Sequence, residues 1–229
     1  MIRILTLLFV CFLFKAVSAQ PPANVYLSSK DSSLHAKDST YRAMFKTDSI
    51  KIEKEFADKA KWESLEARAI YPVLKGGKYS GVIPVDNPTE IPDPKMDYKI
   101  LFELVNATPD SIIKENNPGL DEIARVINLH AASGIPVKKI IPVVVVHAGA
   151  LFSLMTNEAY QKKYKTDNPN LEILGDMTKM GIKFIACGQA MNFVGVTKEQ
   201  LLPFVKISLT AQTVISGYQL KGYVLHSLY

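Results

Sequence analysis

The chain has 229 residues, a length that suits one folded domain with an extension. Its formal net charge of +5 is mixed in sign along the chain, without a basic stripe interleaved with aromatics, which argues against nucleic-acid binding. One of the two cysteines, Cys11, lies in an amino-terminal apolar run, so an intrachain disulfide framework is excluded once that run is removed.

The first 19 residues have the pattern of a secretory signal peptide. A basic start at Arg3 precedes the apolar run Ile4–Phe14, and Val17 and Ala19 precede the expected cleavage site. The run is shorter than the roughly 20 residues that a helix needs to span a bilayer. An uncleaved anchor is the alternative interpretation. We expect export, with no stable membrane insertion after cleavage.

Residues 20–95 are predicted to form an N-terminal extension in three parts. Gln20–Thr40 is rich in Ser, Asp and Lys and is expected to be mobile. Apolar residues at four-residue spacing predict a helix from Asp48 to about Ala69. Closely spaced Pro and Gly from Tyr71 to Pro94 predict extended chain with turns. The Gly-Gly-Lys triplet at 76–78 lacks the spacing of a phosphate-binding loop.

Residues 96–229 show alternating strand and helix patterns. Strands are predicted at Lys99–Val105, Ile140–Val146, Ile182–Ala186, Val205–Leu209 and Gly222–Leu228. Helices are predicted between them, the first beginning at Asn117-Pro118 and a short one at the capping box Thr197–Gln200. Such alternation predicts an α/β fold with a parallel sheet and helices on both faces, which is a three-layer α/β/α sandwich.

Two side chains that can carry chemistry follow predicted strands. His147 ends the second strand, and Cys187 ends the third strand just before Gly188 and a predicted helix. Ligands bind beyond the carboxyl ends of strands in open parallel sheets, so neighbouring strands would open both side chains into one cleft. The start of a helix favours a thiolate, and Gly188 allows close backbone approach to a ligand.

Structural interpretations of these residues stay open at this point. Free cysteine is among the most buried residue types, so Cys187 is equally consistent with a packed core position. His147 is consistent with a hydrogen-bonded residue at the sheet edge. The spacing of the four histidines and Cys187 does not match a structural zinc site, and the sequence predicts neither a metal nor a cofactor.

Three segments resemble the DsrE/DsrF-like family. They are Val143–Ala150 with its His-Ala-Gly sequence, Gly181–Met191 with Cys-Gly-Gln after a strand, and residues 211–223. The resemblance covers about Tyr98 to Tyr229. It implies an α/β/α domain with a five-stranded parallel sheet, assembled as homotrimers or homohexamers. Exported relatives are typical of Gram-negative bacteria, which implies a periplasmic protein.

The resemblance also implies a role for the cysteine. In the sulfur-relay members of the family the equivalent cysteine carries a persulfide between donor and acceptor proteins, and Cys187 matches its position. Gly149, Gly188 and Gln189 in the same motifs are the candidate ligand-binding residues, and Cys187 and His147 the candidate catalytic residues. Those members act in the cytoplasm, whereas this chain carries an export signal.

Three functions are compatible with these observations. The first is a sulfur carrier or thiol-redox protein in which Cys187 is the nucleophile and His147 polarises the bound group. The second is a noncatalytic oligomeric module that binds a small ligand and buries Cys187. The third is a transition-metal binder that uses both side chains.

Overall fold

The computed structural model describes residues 23–77 and 79–228. The predicted signal peptide, residues 1–19, lies outside the described residues. The chain divides into two units, Met1–Ala60 and Lys61–Tyr229. Within the described ranges, no helix combines the length and the apolar character that a bilayer crossing requires.

The extension contains one long helix, α1, Ala23–Arg68. The structure places its start at Ala23, whereas the apolar spacing predicted a start at Asp48. The physical reason is that the sequence contains neither Pro nor Gly between Pro22 and Arg68, so no residue in that stretch breaks a helix. The predicted mobility of Gln20–Thr40 stays a prediction.

The described part of the second unit is built on a five-stranded sheet in which all paired strands are parallel. The strands are β1 Tyr98–Leu104, β2 Ile140–Val146, β3 Lys183–Cys187, β4 Lys206–Ser208 and β5 Val224–Leu228. Their order is β4-β3-β2-β1-β5, which puts β1, β2 and β3 in the interior and β4 and β5 at the edges. The sequence prediction of a five-stranded parallel sheet is confirmed.

Helices connect the strands. They are α2 Pro118–Ala132, α3 Asn157–Tyr164, α4 Leu171–Lys179, α5 Gly188–Val194 and α6 Ala211–Leu220. Short 3₁₀ helices are Asp110–Ile112, Val137–Lys139, Ala148–Leu154 and Lys198–Gln200. Asn117 caps α2 by accepting a hydrogen bond from the backbone N–H of Gly119, and Pro118 occupies the first turn, as predicted. The predicted capping box between Thr197 and Gln200 is also present.

The two faces of the sheet bury different sets of residues because successive side chains of a strand point to opposite sides. On one face Phe102, Val144 and Phe184 pack in the main core with residues of α2, α4 and α5. On the other face Leu101, Val143, Val145 and Cys187 pack with Ala211, Ile215 and Tyr218 of α6. Cys187 therefore belongs to the layer that α6 covers. Helices on both faces confirm the predicted three-layer sandwich.

The Pro/Gly-rich segment Tyr71–Pro94, called the lead-in below, is anchored to α2 by two buried polar side chains. Asn128 accepts hydrogen bonds from the backbone N–H groups of Val73 and Leu74 and donates to the carbonyls of Leu74 and Ser80. Asp121 accepts a 2.7 Å bond from the N–H of Gly77. A Cβ atom at Gly77 would collide with the Asp121 carboxylate, so this glycine permits close approach to α2.

Candidate active site

Cys187 is the last residue of β3 and stands immediately before the first turn of α5. Its backbone is extended, with φ −79° and ψ 112°. Only 5% of the residue is exposed, and its neighbours on the α6 face include Val143, Val145 and Ala211. The sulfur-bearing residue is therefore mostly enclosed by apolar side chains.

His147 directly follows β2, the strand beside β3. The register pairs Val146 with Ala186, so His147 and Cys187 occupy the next positions of two adjacent strands at the carboxyl edge of the sheet. The backbone N–H of His147 donates a 3.0 Å hydrogen bond to the carbonyl of Leu104. This hydrogen bond continues the pairing of β1 and β2 one residue beyond β2. It fixes the backbone position from which the His147 side chain extends.

Glu103 lies on β1, on the other side of β2. Its Oε1 lies 3.0 Å from Nε2 of His147, and the two side chains are 15% and 25% exposed. Its Oε2 accepts a 2.7 Å hydrogen bond from Oγ of Ser227 on β5. One carboxylate thus connects side chains from three neighbouring strands.

Cys187, His147 and Glu103 line one pocket of about 430 Å³. Its wall contains Glu103, His147, Cys187, Gln189, Ala190, Phe193, Thr210, Ala211, Gln212 and Ile215. The pocket lies at the carboxyl ends of β1 to β3, where open parallel sheets bind ligands. Its volume is within the range of about 300–1,000 Å³ that is usual for small-molecule sites. Among the described residues, its wall includes neither Lys nor Arg.

The structure brings together three of the five predicted site residues. Cys187, His147 and Gln189 line this pocket, whereas Gly149 and Gly188 are not among its lining residues. A Cβ atom at Gly149 would lie 2.7 Å from Cβ of Ala107. Gly149 therefore permits close packing of its backbone against another segment, and its predicted role in ligand binding stays a prediction.

Gly188 has a comparable packing role. A Cβ atom there would lie 2.7 Å from the carbonyl oxygen of Ser208 on β4. The next residue, Gln189, donates a 3.1 Å backbone hydrogen bond to the carbonyl of Leu209. Gly188 and Gln189 also line a separate, open depression of about 550 Å³ beside β4. The glycine lets the first turn of α5 lie directly against the edge strand.

Sequence reasoning missed Glu103 and Ser227 as parts of the site. One signal was available, because Glu103 is the one charged residue in the otherwise apolar stretch from Ile100 to Val105. A carboxylate in a central strand requires partners when the strand is buried. Ser227 carried no such signal, because a serine in a terminal strand is unremarkable in composition.

The residues at the site do not form a metal centre of usual composition. Within the part of the chain that the structure describes, no group of three or more His, Cys, Asp or Glu side chains is placed to hold a metal ion. Structural and catalytic zinc sites use at least three protein ligands. The transition-metal hypothesis therefore gains no support from the geometry.

A sequence model of the DsrE/DsrF-like family matches residues 99–226, which is more than half of the chain. The chain belongs to the DsrE/DsrF-like family. The matched region begins in β1 and ends in β5, so the family domain includes the whole sheet and the pocket that contains Cys187. The family is linked to sulfur relay, and its members are oligomeric. A comparison with curated proteins gave no match.

Two solved structures are similar to this DsrE/DsrF-like chain. One is a protein of unknown function, MTH1491 from Methanobacterium thermoautotrophicum, with 20% identity, coverage of 58% of this chain and 100% of that chain, and a TM-score of 0.42. The other is the YchN protein from E. coli, with 15% identity, coverage of 57% and 98%, and a TM-score of 0.41. The family membership depends on the sequence match.

Proposed function

We propose that this protein is a persulfide carrier or thiol-redox accessory protein in which Cys187 is the reacting group. The observation that supports the proposal is that Cys187 and His147 share one pocket at the carboxyl edge of the sheet. The family's link to sulfur relay supports the same reaction class. His147 would polarise the bound sulfur species or take up the thiol proton.

The transfer step is a thiol–persulfide exchange. The Cys187 thiolate attacks the outer, sulfane sulfur of a donor R–S–SH. A bond forms between Sγ and that sulfur while the sulfur–sulfur bond of the donor breaks, and R–S⁻ leaves with the electron pair. The product is Cys187–S–SH, with no net change in oxidation state across the pair. An acceptor thiolate then removes the outer sulfur by the same exchange.

Charge in the pocket favours some donors over others. Its ionisable side chains among the described residues are Glu103, His147 and Cys187, without a lysine or arginine to neutralise an anion. A dianionic donor would have to approach Glu103 without a compensating cation. The pocket therefore suits a thiol-borne persulfide or a singly charged hydrogen polysulfide better than a dianionic oxyanion of sulfur.

The site is proposed to act outside the cytoplasm and in an oligomer. The apolar leader at residues 1–19 supports export to the periplasm, and a single mature cysteine suits a compartment where unpaired thiols need protection. Phe193 on the pocket wall is 89% exposed, and such a side chain commonly marks a contact surface. Sedimentation of the mature chain should show a homotrimer or homohexamer, and a monomer at all concentrations would contradict that assembly.

Mass spectrometry after incubation with polysulfide tests the proposal. The folded mature chain should gain about 32 Da for each added sulfur atom, with the adduct on Cys187. Cys187→Ser removes the thiol and should remove the adduct while the circular dichroism spectrum stays native. A native protein whose Cys187 acquires no sulfur from polysulfide would contradict the proposal.

The second candidate is a noncatalytic oligomeric module that binds a small ligand in the same pocket. The burial of Cys187, 5% exposed among apolar neighbours, favours it. In that function the thiol is a packing group, so Cys187→Ala should leave ligand binding intact and polysulfide should not modify the native protein. The mass-spectrometric experiment therefore separates the two candidates.

A further inference from the structure

We infer that Glu103 is a positioning residue that fixes the tautomer and orientation of His147, with Ser227 holding the Glu103 carboxylate in place. This inference rests on the proposed function of Cys187 and deepens it. It concerns a charged side chain on the interior strand β1 to which the sequence motifs assign no role.

The hydrogen-bond roles follow from the chemistry of the three groups. An ionised carboxylate can only accept hydrogen bonds, whereas a serine hydroxyl can donate one. The hydroxyl of Ser227 donates to Oε2 at 2.7 Å, which leaves Oε1 facing Nε2 of His147 at 3.0 Å. The hydrogen between Oε1 and Nε2 must therefore belong to the imidazole.

The consequence concerns the second ring nitrogen. In a neutral imidazole only one nitrogen carries hydrogen, so a protonated Nε2 leaves Nδ1 with a free lone pair. Nδ1 is then the ring nitrogen left free to accept a proton, and the Cys187 thiol in the same pocket is the proton donor that the inference assigns to it. If that proton arrives, His147 becomes cationic beside a carboxylate, which stabilises the charged ring.

The strand order makes this arrangement rigid. Glu103 pairs in register with Val145 of β2 and with Ser227 of β5. Its carboxylate therefore meets a side chain on β5, Ser227, and one that directly follows β2, His147. Side chains that extend from the strands of a sheet are positioned more precisely than side chains on loops. From the described elements around the imidazole, the ionisable groups that share its pocket are Glu103 from β1 and Cys187 from β3.

Nitrogen-15 NMR of the histidine-labelled mature chain tests the positioning directly. At a pH where the ring is neutral, His147 should give the shift pattern of the Nε2–H tautomer and a downfield, slowly exchanging Nε2 proton. Glu103→Gln should remove that downfield proton, while Glu172→Gln, the same change at an exposed position on α4, should retain it. A wild-type ring protonated on Nδ1 alone, or a signal unchanged in Glu103→Gln, would overturn the inference.

The rate of Cys187 alkylation gives a second readout. Glu103→Gln should slow the reaction with iodoacetamide by roughly tenfold, and Ser227→Ala should slow it less because one hydrogen bond to Glu103 remains. A positioning residue acts through its partner. Adding Glu103→Gln to His147→Gln should therefore cause no further decrease in the rate of Cys187 alkylation. A further decrease of the alkylation rate in the double variant, as large as the one that Glu103→Gln causes alone, would assign Glu103 a separate role.

The two experiments distinguish the failure of this inference from failure of the proposed function. Absence of a persulfide on Cys187 would end the sulfur-carrier proposal and leave the NMR result intact. A wild-type His147 ring protonated on Nδ1 alone, with normal persulfide formation on Cys187, would end the positioning role alone. Thermal unfolding of every variant checks that the comparison is made between folded proteins.

Discussion

At the scale of single residues, the site depends on a glycine that has no chemistry of its own. Gly188 follows Cys187 directly and is the first residue of α5, and an added Cβ atom would lie 2.7 Å from the carbonyl oxygen of Ser208. Because that oxygen belongs to the backbone of β4, a rotamer change cannot relieve the collision. The close approach of α5 to the edge strand thus sets where β3 ends and where the Cys187 side chain lies.

Gly188→Ala should therefore destabilise the protein by about 1–3 kcal/mol, since overpacking against backbone forces a shift of the chain. The free energy of unfolding from urea titration is the measurement. Gly175→Ala is the matched control, because a Cβ atom at this position in α4 meets nothing within 4 Å. Alanine there should be neutral or stabilising by up to about 1 kcal/mol, as helix propensity requires. Equal effects at the two sites would contradict the packing role of Gly188.

At the scale of elements, α2 holds the Pro/Gly-rich lead-in through a buried acid. Burial raises the pKa of Asp121 above its ordinary value of 3.8, opposed by the hydrogen bonds from the N–H of Gly77 and the amide of Asn116. Because the folded pKa is higher than the unfolded one, folding favours the protonated acid. The stability that this group contributes is fully present below the unfolded pKa and is lost as pH rises through the folded pKa.

Asp121→Asn should test that sign. An amide oxygen can still accept the Gly77 N–H, and the buried charge is removed. Relative to wild type, the variant should therefore gain free energy of unfolding as the pH rises from about 3 to about 7. Asp121→Ala removes the acceptor and should destabilise by about 1–3 kcal/mol at neutral pH. A variant-to-wild-type difference for Asp121→Asn that stays flat with pH, or falls, would contradict the assigned effect of burial.

At the scale of the whole molecule, the sequence predicted the architecture well because its signals are local. Continuous apolar strands such as Ile140–Val146, with capped helices between them, imply a covered parallel sheet. The meeting of His147 and Cys187 was also predictable, because both residues follow strands whose carboxyl ends share one edge. The start of α1 was not predictable from apolar spacing, because the polar composition before Asp48 is typical of mobile chain, whereas the absence of Pro and Gly after Pro22 permits a helix there.

The rest of the site depends on which strands become neighbours. Glu103 meets Ser227 only because β5 returns to lie beside β1, and no local pattern in the sequence encodes that order. The contacts of the two glycines Gly149 and Gly188 are also set by which segments become neighbours in the fold. The structure gives Gly149 a close contact with Ala107 and Gly188 a close contact with Ser208, neither of which the sequence indicates. The predicted role of these two glycines in ligand binding stays a prediction.

The proposed function requires that the native fold present the Cys187 thiol to small molecules through the pocket it shares with His147. The measurement that tests this requirement is the rate of iodoacetamide reaction at Cys187 in the folded chain of residues 20–229, compared with the same chain unfolded in urea. The proposed function predicts that the folded protein reacts within about tenfold of the unfolded rate, or faster. Protection in the folded state by more than about a thousandfold, with reaction only as fast as global unfolding permits, would contradict it.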